Sequence, residues 1–434
     1  MALGALLEIH RVYEGVIMPG RSCSCLSAAV PLSAAGMFVL IGCGQSLTPS
    51  HAFTVTDSAG VLLARSSEPA WTETTAWRLS ENPLVIVGTE DGPEEYQLSW
   101  IWDALLLGDG TLVIGNAGAH DLRFYDGSGE FIRGAGRLGG GPGEFNQMSD
   151  LRMWRLSSNG EIAVRDSPLP RINIFDTTGA FLRTVTLEPP KEVARPSPIG
   201  ALHDGGFVAI AWESEITGKP GQITRSAVRY LRYGPTGQLL GTVARAESAP
   251  RFTHQTGGGI HYPYLPLTSE PVVAVDSASL LVLREGEPSI ERFDPNGHLI
   301  GRISWNQERR QVTADLYDRY VAADLETSSN PRIRQMYESY YKESLPLPEL
   351  VPAYRGLYVD ELHYIWVERF RLPGETIRIW DVLSPEGEWL GEVTLPGRFW
   401  LHRVGGKFLV GTQMDSLDVE RVQVYDLTGR NEVH

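Results

Sequence analysis

Residues 173–186 read NIFDTTGAFLRTVT, and this stretch decides the fold. An apolar strand ends in Phe175-Asp176, and residues 181–185 read as a second strand that runs back along the first. The Asp176 carboxylate can accept hydrogen bonds from backbone N–H groups two residues further on, and Gly179 supplies the positive φ that closes a tight turn. The stretch therefore predicts an antiparallel β-hairpin.

Similar turns recur along the whole chain, each between two apolar segments. Their glycines are Gly129, Gly179, Gly237, Gly297, Gly387 and Gly429. Another turn and another apolar strand precede each of them, so one repeat comprises four short antiparallel strands. Such a sheet cannot bury both of its faces alone, but stacking six of them around an axis does bury them. The alternative is a pair of separate β-sandwiches, which would make the repeat a coincidence.

The repeat thus predicts an all-β fold, a six-bladed β-propeller formed by residues 44–430. Residues 84–88 precede the first blade, and we expect them to add the outer strand of the last blade and so close the ring. The expected blades are residues 98–135, 148–187, 199–245, 270–305, 353–396 and 399–430.

Residues 306–350 interrupt the strand pattern between the fourth and fifth blades. Apolar side chains there fall at helical spacing, Thr313 can cap a first helix, and Asn330-Pro331 suits the start of a second. We expect a helical insertion on the top face, which we define as the face carrying the loops from one blade's outer strand to the next blade's inner strand. It is either a packing decoration, or a lid or partner-docking surface.

The run GRLGGGPGEF at residues 136–145 resembles the motif that leads from an outer strand to the next inner strand in NHL-type six-bladed propellers. Residues 57–71 and 77–88 resemble the start of bacterial six-bladed propeller lipoproteins of unsettled function. The resemblance implies the fold over residues 54–430 and no particular activity, because propellers host hydrolases, lyases, sugar binders and scaffolds alike. Some NHL-like propellers are amidating lyases with a His-bound zinc, but no matching His trio occurs in this sequence.

All three cysteines, Cys23, Cys25 and Cys43, lie at the start of the chain, so the body can form neither a disulfide nor a Cys-based metal site. Arg21, an apolar segment at residues 26–42 and the box LIGC ending at Cys43 resemble a bacterial lipoprotein signal. We expect residues 1–43 to be a lipoprotein signal peptide, with translation starting as late as Met18 or Met37. A plain cleaved signal or a membrane anchor is the alternative.

A lipid on Cys43 would tether the body outside the cytoplasm, at the bacterial cell envelope and there at the outer membrane. Contact with the membrane would be through the lipid anchor only. The formal net charge of -15 and a pI near 5.2 argue against nucleic acid as a partner, because the phosphate backbone requires a basic surface.

Strands that end at the top face finish in polar or aromatic residues, which are expected to ring the mouth of the central channel. Trp212 and Trp366 could stack on a sugar or an aromatic ligand, whereas the charged residues could instead form a ring of mutual ion pairs. The candidate ligand-binding residues are Asn116, Arg165, Asp166, Trp212, Glu213, Arg284, Glu368 and Arg369.

No spacing assigns catalytic, metal or cofactor residues. His254 and His261 share one loop, which can bind a metal but more often packs or faces solvent. The run at residues 134–139 matches G-x-G-x-x-G, yet residues 140–142 forbid the helix that a dinucleotide requires. We therefore predict no metal and no cofactor.

The sequence favours a binding or scaffold module for a protein, peptide or glycan partner at the envelope. The alternative is an extracytoplasmic hydrolase or lyase acting at the channel mouth among Arg165, Glu213, Arg284 and Glu368. A third hypothesis is a purely structural envelope component.

Overall fold

A computed structural model of the protein describes residues 53–430, apart from 147–149, 157–159, 168, 192, 194, 214–216, 285–287 and 329. The predicted signal peptide, including Cys43, lies outside the described residues. The fold is an all-β six-bladed propeller with two helices between the fourth and fifth blades, which confirms the predicted fold class.

The strands follow in chain order. A hairpin and two short strands come first: β1 (Phe53–Ser58), β2 (Val61–Ser66), β3 (Arg78–Leu79) and β4 (Val85–Val87). Blade 1 comprises β5 (Ile101–Leu106), β6 (Leu112–Asn116), β7 (Asp121–Tyr125) and β8 (Phe131–Ala135). Blade 2 comprises β9 (Met153–Arg155), β10 (Ile162–Arg165), β11 (Arg171–Phe175) and β12 (Phe181–Thr186).

Blade 3 carries additional short strands in its loops. Its four main strands are β13 (Ser197–Ala201), β14 (Phe207–Trp212), β16 (Ala227–Tyr233) and β17 (Leu239–Glu247), and the short ones are β15 (Ile223–Thr224), β18 (Arg251–Phe252), β19 (His254–Thr256) and β20 (Gly259–His261).

Blade 4 precedes the helices, and the last two blades follow them. Blade 4 comprises β21 (Val272–Asp276), β22 (Ser279–Leu283), β23 (Ser289–Phe293) and β24 (Leu299–Trp305). The helices are α1 (Ala314–Thr327) and α2 (Pro331–Tyr340). Blade 5 comprises β25 (Tyr354–Val359), β26 (Ile365–Arg369), β27 (Ile377–Leu383) and β28 (Trp389–Pro396), and blade 6 comprises β29 (Phe399–Gly405), β30 (Phe408–Met414) and β31 (Glu420–Thr428).

The blades surround one axis. The strands given above for each blade run antiparallel with the first strand innermost, and the inner strands of neighbouring blades contact one another. Apolar side chains fill the spaces between blades; Trp366 of blade 5 and Val404 of blade 6, for example, belong to one buried cluster. The core is therefore a set of apolar layers between blades, and the loops at both ends of the channel are left to carry function.

The turn of blade 2 has the predicted chemistry. Oδ1 of Asp176 accepts hydrogen bonds from the backbone N–H of Thr178 at 2.8 Å and of Ala180 at 2.9 Å, and Gly179 has a φ of 78°. The strand register shifts between Ile174 and Phe175, as a hairpin closed by a bulge requires. Asp126 and Asp294 make equivalent bonds in blades 1 and 4.

Strands from before the first blade complete the last one. Val87 of β4 pairs with Val422 of β31, and Arg78 of β3 pairs with Thr428 at the other end of the same strand. Val87 is 1% exposed and packs between blades 6 and 1, whereas Ile86 is 53% exposed. The ends of the repeat array are thus joined by hydrogen bonds and by a buried side chain.

The first hairpin has a position that the sequence did not indicate. Strand β2 runs parallel to β24, so β1 and β2 extend blade 4 to six strands. Because β24 runs from the bottom face to the top face, β2 does so as well and β1 runs in the opposite direction. Phe53, which pairs with Ser66 beside Trp305, therefore lies at the top end of the rim.

The helical pair covers the loops of blades 3 to 5 on the top face. Oγ1 of Thr313 accepts a hydrogen bond from the N–H of Leu316, and Oδ1 of Asn330 accepts one from the N–H of Arg332, so both predicted caps form. Within the part of the chain that the structure describes, neither helix combines the length and the apolar character needed to cross a membrane.

Two apolar clusters hold this pair in place. They are Leu267, Leu316, Val351 and Leu372, with α1, and Phe252, Leu265 and Tyr340, with α2.

Candidate functional site

An ion pair crosses the bottom end of the central channel. Nη1 of Arg155, at the end of β9, lies 3.2 Å from Oε1 of Glu361, which follows β25. These residues belong to blades 2 and 5, which face each other in a ring of six, so the ion pair crosses the axis. Burial raises the pKa of the Glu361 carboxyl, although Arg155 opposes this effect.

A second ion pair lies on the inner strands. Nη2 of Arg403 in blade 6 is 3.0 Å from Oδ2 of Asp103 in blade 1, and both side chains are almost fully buried. The same carboxylate oxygen accepts a hydrogen bond from the N–H of Met153 in blade 2 at 2.8 Å, and Arg403 donates to the Met153 carbonyl. Three blades are thus joined around the channel by one buried charge pair.

Asn116 and Arg165, two of the predicted ligand-binding residues, hold backbone at the top face. Oδ1 of Asn116 accepts a hydrogen bond from the N–H of Ser99 at 3.0 Å. Arg165 forms an ion pair with Asp150 and donates from Nη1 to the carbonyl of Pro198, in the next blade, at 2.8 Å. Both side chains are buried, and their contacts order the loops around the channel mouth.

Asp166 and Glu368 form buried ion pairs within their own blades. Nε of Arg171 donates to Oδ2 of Asp166 at 2.6 Å, and Nη1 of Arg378 donates to Oε1 of Glu368 at 2.7 Å. Each carboxylate therefore has its counter-charge on the adjacent strand of the same sheet.

Glu213, Arg284 and Arg369 are more exposed but are also paired within their blades. Arg229 donates a hydrogen bond to Glu213 and thereby lowers the pKa of that carboxyl. The other two pairs are Arg284 with Glu291 at 2.7 Å and Arg369 with Asp381 at 2.6 Å.

The two tryptophans proposed for stacking occupy apolar layers. Trp212 packs partly buried against the cluster between blades 3 and 4. Trp366 is fully buried and donates from Nε1 to Oδ2 of Asp360 at 2.9 Å.

The eight predicted residues are distributed over blades 1 to 5, and the contacts described for them do not join them into one site. Their role in ligand binding stays a prediction. Through their hydrogen bonds and ion pairs, these residues stabilise the blades and the loops.

His254 and His261 face each other across the hairpin β19–β20. Nε2 of His254 lies 2.7 Å from Oγ of Ser339 on α2, and its Nδ1 lies 3.3 Å from Oε1 of Glu343. The ring of His261 bonds Oγ1 of Thr256 instead. His254 thus links the hairpin to the helical pair, and no cluster of three or more potential metal ligands occurs among the described residues.

An apolar surface lies on the top face of blades 6 and 1. Trp100 is 69% exposed and Leu417 is 72% exposed, the two highest values among large apolar residues of the described chain. The loops that carry them are joined, because the N–H of Ile101 donates to Oε2 of Glu420 at 2.8 Å. We name Trp100, Leu417 and Glu420 the Trp100 surface.

The backbone of Trp100 is held in an unfavourable conformation. Its φ is 55°, and a left-handed conformation costs a non-glycine residue roughly 1–2 kcal/mol. The Asn116 bond to Ser99 fixes one side, and the Glu420 bond to Ile101 fixes the other. The surrounding structure therefore presents a large aromatic ring to solvent in a fixed place.

No pattern in the sequence indicates Trp100 as a site residue. Strand alternation would place the side chains of Trp100 and Trp102 on the same face of the sheet, yet Trp102 is buried. The two side chains differ because the register shifts between Ile101 and Asp103 and because Trp100 has a left-handed backbone. No local sequence pattern indicates the shift or the left-handed conformation. Asn116, expected at the channel mouth, contacts the loop that carries Trp100.

No family model matches the chain, and no curated protein is significantly similar to it. Among solved structures, a DUF4221 family member from Bacteroides vulgatus shares 12% identity over 82% of this chain and 99% of its own, with a TM-score of 0.47. A protein from Bacteroides fragilis described as exported shares 10% identity over 84% and 99%, with a TM-score of 0.46. A gluconolactonase from Xanthomonas campestris shares 13% over 76% and 87%, with a TM-score of 0.39.

These likenesses concern the overall fold. From its own strand pairing and ring of inner strands, the chain is a six-bladed β-propeller whose top face carries a helical pair over blades 3 to 5 and an exposed tryptophan on blade 1.

Proposed function

We propose that the chain is a binding or scaffold module of the bacterial cell envelope, tethered through a lipid on Cys43, which holds a protein, peptide or glycan partner on its top face. The observation that carries this proposal is the exposed Trp100 on a fixed, strained backbone. The sequence pattern at residues 40–43 supports the tether.

A tryptophan of this kind suits binding. An aromatic residue buries about 150–250 Å² in a contact, and burial of apolar surface contributes about 25 cal/mol per Å². Because the backbone of Trp100 is already ordered, little conformational entropy is lost when a partner covers the ring. Leu417, on the adjoining loop, adds a second exposed apolar side chain, and the Glu420 carboxylate holds the backbone next to Trp100.

The helical pair supports the choice of face. It packs on loops of blades 3 to 5, whereas the Trp100 surface belongs to blades 6 and 1. A partner that spans the top face would contact both the Trp100 surface and the helical pair.

The geometry does not favour the enzymatic alternative. A hydrolase or lyase needs acid, base or nucleophilic groups within reach of one substrate. The four residues proposed for catalysis lie on four different blades: Arg165, Glu213, Arg284 and Glu368. Each forms an ion pair with a residue of its own blade or of the loop that precedes the inner strand of that blade.

The proposal is tested by Trp100→Ala in the tethered protein, with Leu84→Ala as control. Leu84 is also exposed and apolar but lies beside the closing strand β4. After chemical cross-linking in cells, we expect the variant at Trp100 to recover an envelope partner at least about tenfold less efficiently than wild type. Equal recovery by both variants, at unchanged melting temperature, would overturn the proposal.

A further inference from the structure

A cleft lies on the outer rim of blade 5, away from the Trp100 surface. Residues 67–77, between β2 and β3, pass around the outside of this blade. The N–H of Ala70 donates to the carbonyl of Trp389 at 2.9 Å, and the N–H of Trp71 donates to that of Leu390 at 2.6 Å. Beyond these bonds the segment leaves a cleft of about 560 Å³ against β28, a size typical of small-molecule sites.

Trp71 forms an aromatic wall of this cleft. Its ring rests on Gly391 so closely that a Cβ at position 391 would lie 2.5 Å from Cε3 of the indole. The ring centroid of Trp77, which also lines the cleft, is 4.8 Å away. The glycine thus leaves room for a ring whose position is fixed by packing, with part of its surface still exposed.

The other walls are polar, and their charges balance. Glu392 lies 2.9 Å from Arg369, and Arg78 donates to the backbone carbonyl of Glu73 at 3.2 Å. Glu73, Glu392 and Arg78 line the cleft, and Arg369, which lies outside the lining, supplies the counter-charge of Glu392. The Thr394 hydroxyl adds a neutral donor and acceptor. A charged ligand gains little from such a balanced set.

We propose that this cleft binds a neutral oligosaccharide, with the apolar face of one pyranose ring against Trp71. Sugar hydroxyls match the hydroxyl and carboxylate groups of the other walls, and an open cleft along the rim accommodates a chain. An extended peptide would instead add to the edge of β28, but the carbonyls of Trp389 and Leu390 on that edge are already bonded. The site goes beyond the proposed top-face function and does not depend on it.

The probes are cellotetraose and tetra-N-acetylchitotetraose, titrated by calorimetry into the full-length protein in detergent. We expect at least one to bind with a dissociation constant of ~0.1–1 mM, a weak affinity suited to an open site. Trp71→Ala should weaken it at least about tenfold. Because that variant also removes packing, Thr394→Arg offers a second test that fills the cleft from an exposed wall.

Matched controls exist in other blades. Thr186→Arg makes the same change at the corresponding place of β12, and Trp100→Ala removes the top-face ring. Gly391→Ala should displace Trp71 and weaken binding, whereas Gly241→Ala, at the equivalent place in β17 with nothing within 4 Å, should not.

The controls should bind as wild type does. Failure of both sugars to bind wild type would overturn the proposal, as would binding that survives both Trp71→Ala and Thr394→Arg. Binding of an extended Thr-Val hexapeptide in their place, lost in Thr394→Arg, would contradict the saccharide class.

Discussion

At the scale of single residues, Asp176 shows how one side chain defines a repeat. Its carboxylate accepts hydrogen bonds from the Thr178 hydroxyl and from two backbone N–H groups of the turn, and these bonds lower its pKa. We expect Asp176→Ala to lower the free energy of unfolding by about 1–2 kcal/mol, because the bonds are charge-assisted but exposed to solvent. Urea denaturation measures this change, and Thr177→Ala, at an exposed position of the same turn, is the near-neutral control. Equal losses of stability in the two variants would contradict the role of Asp176 in the turn.

His363 provides a pH-dependent contact between blades 4 and 5. Its Nδ1 lies 2.7 Å from Oδ1 of Asp276, and this hydrogen bond raises the pKa of the imidazole. A raised folded-state pKa gives stability that is fully present below the unfolded pKa, near 6.5, and is lost as pH rises through the folded value.

The comparison of wild type with His363→Asn between pH 5.5 and 9 tests this contact. We expect the excess stability of wild type, measured by thermal melting, to shrink as the pH rises. An excess that stays constant or grows with pH would show that the Asp276 contact does not hold a protonated imidazole.

At the scale of elements, the closing strand β4 offers two neighbouring residues on opposite faces. Val87 is buried between blades 6 and 1, and Ile86 faces solvent. Val87→Asp would bury a carboxylate without a partner and should lower the free energy of unfolding by several kcal/mol, whereas Ile86→Asp should change it by less than about 0.5 kcal/mol. Denaturant titration of both variants measures these free energies. Similar losses of stability in the two variants would argue against the register of β4 on β31.

The elements that sequence predicted are those encoded locally. The turn at Asp176 and the helix caps at Thr313 and Asn330 depend on residues two to three positions apart, so their chemistry can be read from the chain. The pairing of β2 with β24 joins segments far apart in sequence, and no local pattern distinguishes it from other exposed strands.

The same limit applies to the candidate site. Polar strand ends such as Arg165 and Glu368 are visible in the sequence, but their partners Asp150 and Arg378 are set by the folded sheet. The exposure of Trp100 likewise follows from a register shift and a left-handed turn that no residue type requires.

At the scale of the whole molecule, the position of Phe53 constrains the proposed tether. It lies at the top end of the blade 4 rim, and residues 44–52 can span at most about 30 Å. A lipid on Cys43 would therefore keep the top end of the blade 4 rim within that distance of the membrane.

Cys43→Ser should release the protein from the membrane fraction, because no other anchor is proposed. Immunoblots of fractionated cells give the measurement, with Cys25→Ser as the control that stays bound. A Cys43→Ser protein that remains with the membrane would contradict the lipid anchor.

The central claim is that the top face around Trp100 holds the partner. A photo-cross-linking amino acid placed at position 100, and separately at Thr177 on an exposed bottom-face turn, measures this directly in living cells. We predict a discrete adduct from position 100 and none from position 177. An adduct from position 177 alone, or equal adducts from both, would contradict the claim.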